Sequence, residues 1–332
     1  MSGLIKLLPD NVANQIAAGE VVSRPSSVVK ELLENSVDSK SKIIKLIIKD
    51  AGKTLIQVID DGVGMGKEDL DMCFIRHATS KITTSKDLYD LNTMGFRGEA
   101  LSSIAAVSHL SIKSNNNINE DLGNQIKLKG GRIIFKKETF CKKGTSISVK
   151  NLFFNIPARR NFLKSDNVEL RHIIDEFHRV ALINFNVNFI FVNNDNEIFN
   201  LKESIFKERI IRIFGKSTQE KLVPINELTE FAKIEGFIFK PEYSRKTKTS
   251  QFFFVNNRFV KNSHLHHAVK TAYDGLIFEN HHTSYFLCFE VPNDSIDVNI
   301  HPNKTEIKFD NDQSIYAILK SSIKHSLGQF NI

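Results

Sequence analysis

No segment of this chain keeps a single hydrophobic period for long: helix-like and strand-like patterns alternate up to about residue 201 and then begin again. A chain of that kind must lay helices against a sheet, because each pattern leaves one apolar face that needs a cover. Residues 23–38 read as a helix, and 43–50 and 54–60 as strands joined by a tight turn at Ala51-Gly52. A helix is expected at 66–78, and 80–100 is a Gly- and Ser-punctuated loop region that leads into a helix at 98–107. Strands follow at 108–114, 124–129, 132–138 and 145–150, then a helix at 166–184 and a hairpin at 187–201. The second set has helices at 204–214, 262–275 and 312–326 and strands at 231–239, 251–255, 284–291 and 304–309. Asn256-Asn257 offers the positive-φ turn of a hairpin after the apolar run QFFFV. Two domains, 1–203 and 204–332, suit a length of 332 residues, which exceeds one ordinary domain.

Composition narrows the class. Apolar residues make up 41% and charged residues 25%, normal for a globular protein, and no apolar run approaches the roughly 18 residues of a membrane span. The start, MSGLIKLLPDNVANQ, has no basic segment followed by an apolar core, so a cytosolic location is expected. Cys73, Cys141 and Cys288 are too scattered for a disulfide framework or a zinc spacing. The formal charge of +7 raises the prior for polyanionic partners without deciding it. The loose basic stretch KPEYSRKTKTS, 240–250, reads as an exposed loop.

Four stations carry candidate chemistry. In SSVVKELLENSVD, 26–38, Val29, Leu32, Leu33 and Ser36 share one helical side. Glu31, Asn35 and Asp38 form a separate polar stripe, and Glu34 points towards solvent. A carboxylate beside a carboxamide on a rigid element can position a water and bind a hard cation, although most polar stripes are simply solvated. In TLIQVIDDGVG, 54–64, an apolar strand ends in Asp60-Asp61-Gly62 with Gly64 beyond; the acid can accept from an exocyclic amine, while Asp-Gly equally favours a hairpin turn. Gly95 and Gly98 precede an apolar helical segment, as in a mobile anion-binding lid or an ordinary cap. Gly144-Thr145 opens a strand and can set a hydroxyl in a pocket wall. The usual nucleotide motifs are absent: Gly215-Lys216-Ser217 and Gly52-Lys53-Thr54 lack the first glycine of a P-loop, and no G-x-G-x-x-G opens a strand–helix unit.

The order of these stations resembles the GHKL ATPases, and longer strings single out MutL-type DNA mismatch repair proteins among them. NQIAAGEVVSRPSSVVKELLENSVD (14–38), RHATSKI (76–82), GFRGEAL (95–101), FFNIPARRNFL (153–163) and VNIHPNKTEIKF (298–309) all look like that family, over residues 5 to 325. The resemblance implies an α+β fold, with a GHKL (Bergerat-type) sandwich of helices on a mixed sheet and an N-terminal arm at 1–20. A smaller transducer-like α/β domain, similar to a ribosomal-protein-type βαβ fold, follows. It also implies a slow Mg2+-dependent ATPase. Glu31 is then the general base, Asn35 the Mg2+ ligand with Asp38 beside it, and Asp60 the reader of the adenine amino group. Gly62 and Gly64 shape the pocket under the base, and Thr145 lies near it. Thr79, Ser80 and Lys81 belong to the lid-side loop, Gly95, Phe96, Arg97 and Gly98 close over the phosphates, and Lys304 reaches the terminal phosphate.

Further expectations follow from the family. ATP binding drives N-terminal self-dimerisation, and the pair binds DNA backbone without sequence preference; Arg159, Arg160, Arg258, Lys261 and the basic loop 245–248 are candidate contacts, each equally readable as a solvated surface charge, and Arg258 is the one the resemblance supports. A MutS-type mismatch recogniser and a downstream helicase or nuclease are the implied partners, in the bacterial cytosol near the nucleoid and with no membrane. Three departures stand out: Asp61 where many relatives have Asn, FFNIPAR where Tyr and Thr are common, and Asn257 where Gly usually precedes Arg258. No string for a nuclease site occurs, and His264, His266, His267, His281 and His282 read as polar loop and helix residues rather than a metal cluster.

Overall fold

The computed structural model of the chain describes residues 10–82, 84, 93–95, 98–247, 249–297 and 307–330. It divides into two compact units, one running to Glu203 and the other from Ser204 onward, the latter taking in Leu182–Phe185. Among the described residues no helix is long and apolar enough to cross a membrane.

The first unit contains α1 (Asp10–Val21), α2 (Pro25–Asp38), β1 (Ile43–Lys49), β2 (Leu55–Asp60), α3 (Lys67–Met72), α4 (Ala100–Ala106), β3 (His109–Asn115), β4 (Leu122–Lys129), β5 (Arg132–Phe140) and β6 (Gly144–Lys150). It continues through α5 (Pro157–Phe162), α6 (Asp166–Ile183), β7 (Asn188–Asn193) and β8 (Asn196–Leu201). The strands form an eight-stranded sheet in the order β5-β4-β3-β6-β2-β1-β7-β8. It is a mixed sheet: β1 and β7 run parallel, and the other neighbours are antiparallel.

One face of that sheet is covered. Ile44, Leu46 and Ile48 of β1 are fully buried while their alternating neighbours are not, the period-two signature of a one-sided cover. Helix α2 starts with Pro25 in its first turn, where the missing N–H costs nothing, and buries Val28, Val29, Leu32 and Leu33 against β1 and β2. Its end is fixed locally: the Ser39 N–H donates to Asn35 O at 3.0 Å, Ser39 Oγ donates to Ser36 O at 2.8 Å, and Lys40 turns the chain at φ +60°. Phe177 of α6 packs its ring 5.1–5.9 Å from those of Phe189, Phe191 and Phe199, joining the helix to the hairpin of β7 and β8.

The second unit holds α7 (Phe206–Phe214), β9 (Leu222–Leu228), β10 (Lys233–Phe239), β11 (Gln251–Val255), β12 (Arg258–Val260), α8 (Ser263–Ala272), β13 (Tyr285–Glu290), β14 (Ile296–Asp297), β15 (Lys308–Phe309) and α9 (Asp312–Gln329). Its five-stranded sheet has the order β12-β11-β13-β10-β9, with β11 and β13 parallel and α8 in the connection between them. Leu265, Val269, Leu319 and Ile323 of α8 and α9 share a core with Val223, Ile234, Phe253 and Leu287 of the strands. Asn256 and Asn257 form the hairpin turn at φ +45° and +65°, and Asn256 also clasps Val291 through both its N–H and its C=O. Asparagine therefore meets the positive-φ demand of this turn without glycine.

Several elements differ from the sequence reading. The helix expected at 66–78 stops at Met72, because the following backbone bonds elsewhere: the Ile75 N–H goes to Met72 O and the His77 N–H to Gly98 O. Strand β9 escaped notice because Pro224 interrupts its pattern, and the structure accommodates it as an edge strand, where a missing donor is harmless. Helices α1 and α5 were also unforeseen. Of the strand expected at 304–309, residues 304–306 lie outside the described residues, and Lys308–Phe309 pairs with β14.

Candidate functional site

The polar stripe of α2 emerges beside the end of β2. Asp38 is the hub: its side chain is 7% exposed, and Oδ2 accepts from Lys81 Nζ at 2.5 Å and from the Gly95 N–H at 3.1 Å. Its Oδ1 accepts from the Met94 N–H at 2.9 Å. Lys81 Nζ also donates to Asn35 Oδ1 at 2.8 Å, so the carboxamide and the carboxylate share one cation. One turn earlier Glu31 is half-buried, and its carboxylate has no hydrogen-bond partner among the described residues. Glu34 does not face solvent as the helical wheel suggested: its side chain is 15% exposed and lies 3.9 Å from Lys30. Glu176 and Arg179 of α6 also act electrostatically on Lys30. Burial works against that ammonium, yet Glu34, Glu31 and Glu176 together hold its pKa above the ordinary lysine value.

Asp60 marks the other half of the site. Oδ2 accepts from Ser36 Oγ at 2.8 Å and Oδ1 from the Gly62 N–H at 3.0 Å, which leaves further lone pairs for a ligand amine. Burial lifts its pKa above the usual aspartate value, against hydrogen bonds from Ser36, Gly62, Ser41 and Thr145. The Val63 N–H donates to Ser39 O at 3.0 Å, tying the glycine loop to the end of α2. No hairpin forms at Asp61-Gly62, because Asp61 does other work: Oδ1 accepts the N–H groups of Lys42 and Ile43, both at 2.8 Å, at the start of β1. An asparagine oxygen could accept the same two N–H groups.

Thr145 stands opposite Asp60 in the β2–β6 ladder, and its hydroxyl lies 2.8 Å from Ser114 Oγ. Ser114 is fully buried and in turn accepts the Met65 N–H at 2.8 Å, just past Gly64. Gly144 precedes this pair at φ +119°, where a Cβ would fall 2.1 Å from Asp60 O, so β6 comes this close to the acid only with glycine there. Thr79 Oγ1 accepts the Lys81 N–H at 3.1 Å, Ser80 is exposed, and Gly98 packs on Ala78 at φ +62°. The structure therefore gathers Asn35, Asp38, Lys81 and Gly95 into one cluster and Asp60, Gly62 and Thr145 into another, with Ser36 joining α2 to the second. Ser36, Ser41 and Ser114 were not singled out from the sequence; a small hydroxyl on an apolar face was the available signal for Ser36. Phe96, Arg97 and Lys304 lie outside the described residues.

The basic candidates divide. Arg160 and Lys261 are exposed, whereas Arg159 is half-buried, stacked 6.0 Å from the Phe153 ring and pressed against Gly19, and Arg258 is also half-buried. Arg245 pairs its backbone with His282, and Lys248 lies outside the described residues. The histidines hold separate polar contacts: His264 with Asp312, His266 with Tyr285, His267 with Tyr316 and His281 with Ser244.

An acid at a buried strand end, glycines around it, and an oxygen pair gathering a cation on the neighbouring helix suit a nucleotide rather than a small neutral ligand. A family model for histidine kinase-, DNA gyrase B- and HSP90-like ATPases matches residues 22–150, which defines the first unit as a GHKL-type ATPase fold. A second model, for the C-terminal domain of DNA mismatch repair proteins, matches residues 210–328. The chain is 59% identical over its 332 residues to the DNA mismatch repair protein MutL of Flavobacterium johnsoniae, and 50% identical over 331 residues to that of Bacteroides fragilis. A crystal structure of the N-terminal domain of a DNA repair protein aligns with a TM-score of 0.81 and 26% identity, over 96% of this chain and 98% of that one. The Aquifex aeolicus MutL ATPase domain complexed with ADP aligns with a TM-score of 0.64 and 25% identity, over 90% and 98% of the two chains. The chain belongs to the MutL family of DNA mismatch repair proteins. It spans about half the length of the curated relatives it matches, 51% and 53% of the two named here.

Proposed function

We propose that this chain binds and slowly hydrolyses ATP as the switch of a mismatch repair protein. The observation that carries the reading is the double cluster on α2: Ser36 orients Asp60 at one end while Asn35 and Asp38 gather a cation at the other. Asp60 accepts the adenine amino group, with Gly62, Gly64 and Thr145 around the base. Thr79, Ser80, Lys81, Gly95 and Gly98 line the phosphate side, with Phe96, Arg97 and Lys304 as further contacts. The oxygens of Asn35 and Asp38 already suit a hard cation, since they share the Lys81 ammonium, and Asn35 would hold Mg2+. When bound there with nucleotide, Mg2+ would supply charge neutralisation for the phosphates. Glu31, one turn before Asn35 and without a competing hydrogen bond among the described residues, takes the proton of the attacking water.

ATP binding then pairs two copies of the chain, and the pair holds DNA by its phosphates. Arg160 and Lys261 are the exposed cations best suited to that contact, with Arg159 and Arg258 secondary because both are half-buried. Binding of this kind ignores sequence and weakens steeply with salt. A MutS-type recogniser upstream, a helicase or nuclease downstream and a bacterial cytosolic setting follow from the family. The test is ATP turnover by the chain and its Glu31→Ala variant, with sizing in a non-hydrolysable analogue. Turnover should fall about 10²–10⁴-fold in the variant while both forms dimerise. Undiminished turnover in Glu31→Ala removes Glu31 as base, and absence of nucleotide binding by the parent chain removes the reading altogether.

A further inference from the structure

Lys81 occupies an unusual place for a lysine that the family resemblance puts beside phosphates. Its ammonium sits on Asn35 Oδ1 at 2.8 Å and Asp38 Oδ2 at 2.5 Å, with its side chain 20% exposed. A hard divalent cation bound at Asn35 needs the same amide oxygen, one lone pair of which already accepts from the ammonium. Two positive charges cannot share that oxygen pair without strong repulsion. The same Asp38 carboxylate also holds the turn at 93–95 through the Met94 and Gly95 N–H groups. Gly95 lies so close that a Cβ there would fall 3.0 Å from Lys81 Nζ and 3.5 Å from Asn35 Oδ1. Cation, carboxylate and glycine turn are thus one connected unit.

We propose that the Lys81 ammonium is the resident cation of the metal position on α2, which a divalent ion enters only by displacing it, so that metal arrives together with nucleotide and not before. This rests on the ATP-site reading for the incoming phosphates, which accept the displaced ammonium. The same displacement passes Asp38 from the ammonium to the incoming cation, and so changes the partner of the carboxylate that accepts from the 93–95 turn. Lys81 is in this sense a positioning residue: it keeps the site closed to bare metal and couples cation entry to the glycine turn.

The experiment measures binding of Mn2+ alone, without nucleotide, by the electron paramagnetic resonance signal of the free ion. Parent chain, Lys81→Gln, Lys81→Met, Lys81→Arg and the double variant Lys81→Gln/Asn35→Ala are compared, each checked for a cooperative melt. The neutral variants should bind Mn2+ at least about tenfold more tightly than the parent, since the competing charge is gone. Lys81→Arg should restore the weak binding, and Asn35→Ala should abolish the gain. Folded Gln and Met variants with parental Mn2+ affinity, or a gain that survives Asn35→Ala, overturn the proposal. Titration of the parent with a fluorescent ATP analogue separates the two ideas: failure to bind it removes the ATP reading, whereas the Mn2+ comparison judges the lysine alone.

Discussion

Replacing Gly144 by alanine should damage both stability and nucleotide binding, by two separable amounts. At φ +119° an L-residue sits in a region that is essentially glycine's own, at about 1–3 kcal/mol. The added methyl would also lie 2.1 Å from the Asp60 carbonyl oxygen and 2.9 Å from Asp61 Cα. Both are backbone atoms, so no rotamer relieves the contact, and overpacking of that kind costs about another 1–3 kcal/mol. The expected loss is therefore roughly 2–6 kcal/mol, a large share of the about 5–15 kcal/mol that holds a domain folded. Gly131 supplies the control within the same unit: its φ is +81°, but the nearest heavy atom to an added Cβ is Ala106 Cα at an ordinary 3.8 Å. Gly131→Ala should show the backbone cost alone. Urea unfolding of both variants gives the difference. The contact can relax only by parting β6 from β2 at the Asp60–Thr145 pair, so a fluorescent ATP analogue should bind Gly144→Ala at least about tenfold more weakly, the worth of one charge-assisted hydrogen bond. Equal stabilities for the two variants, within about 0.5 kcal/mol, together with unchanged nucleotide affinity, would refute the close approach as the reason for glycine.

Two further predictions concern the frame around the site. His178 lies among Phe177 and Phe199, and burial holds its pKa down to about 4, with Asp175 opposing. The unfolded chain takes up that proton first, so the stability is complete above about pH 6.5 and drains as pH falls towards 4, by up to about 3 kcal/mol. His178→Gln should flatten the fall in urea midpoint between neutral pH and pH 4.5, and a profile parallel to the parent's would rule His178 out as its source. At Asp61, substitution by Asn keeps an oxygen for the N–H groups of Lys42 and Ile43 and should shift stability by less than about 0.5 kcal/mol. Asp61→Ala strips both bonds and should cost about 1–2 kcal/mol in a thermal melt; equal effects from the two substitutions would show that the bonds do not matter.

What the sequence made legible is what a few neighbouring residues determine. The stripe Glu31, Asn35, Asp38 follows from helical spacing, and Asp60 at the end of an apolar strand follows from the strand's own pattern. Asn256-Asn257 declared its turn because two asparagines in succession favour positive φ. The illegible parts depend on which distant segments meet. Ser36 counts as a member of the apolar face until β2 sets Asp60 beside it, 24 residues away. Ser114 means nothing until β3 and β6 become neighbours and bring it to Thr145, 31 residues on. Glu34 looked solvated because a helical wheel shows nothing of what packs beside the helix, and β9 was hidden because Pro224 is forbidden in a central strand but tolerated at an edge. Lys81 is the sharpest case. In the sequence it is one cation in a loop, whereas its partners Asn35 and Asp38 stand 46 and 43 residues earlier. Candidates for a site can thus be read from motifs, but their charge balance cannot, because that balance is set by which cation the fold delivers to which oxygen. Here that pairing decides whether the site stands open to metal before nucleotide arrives.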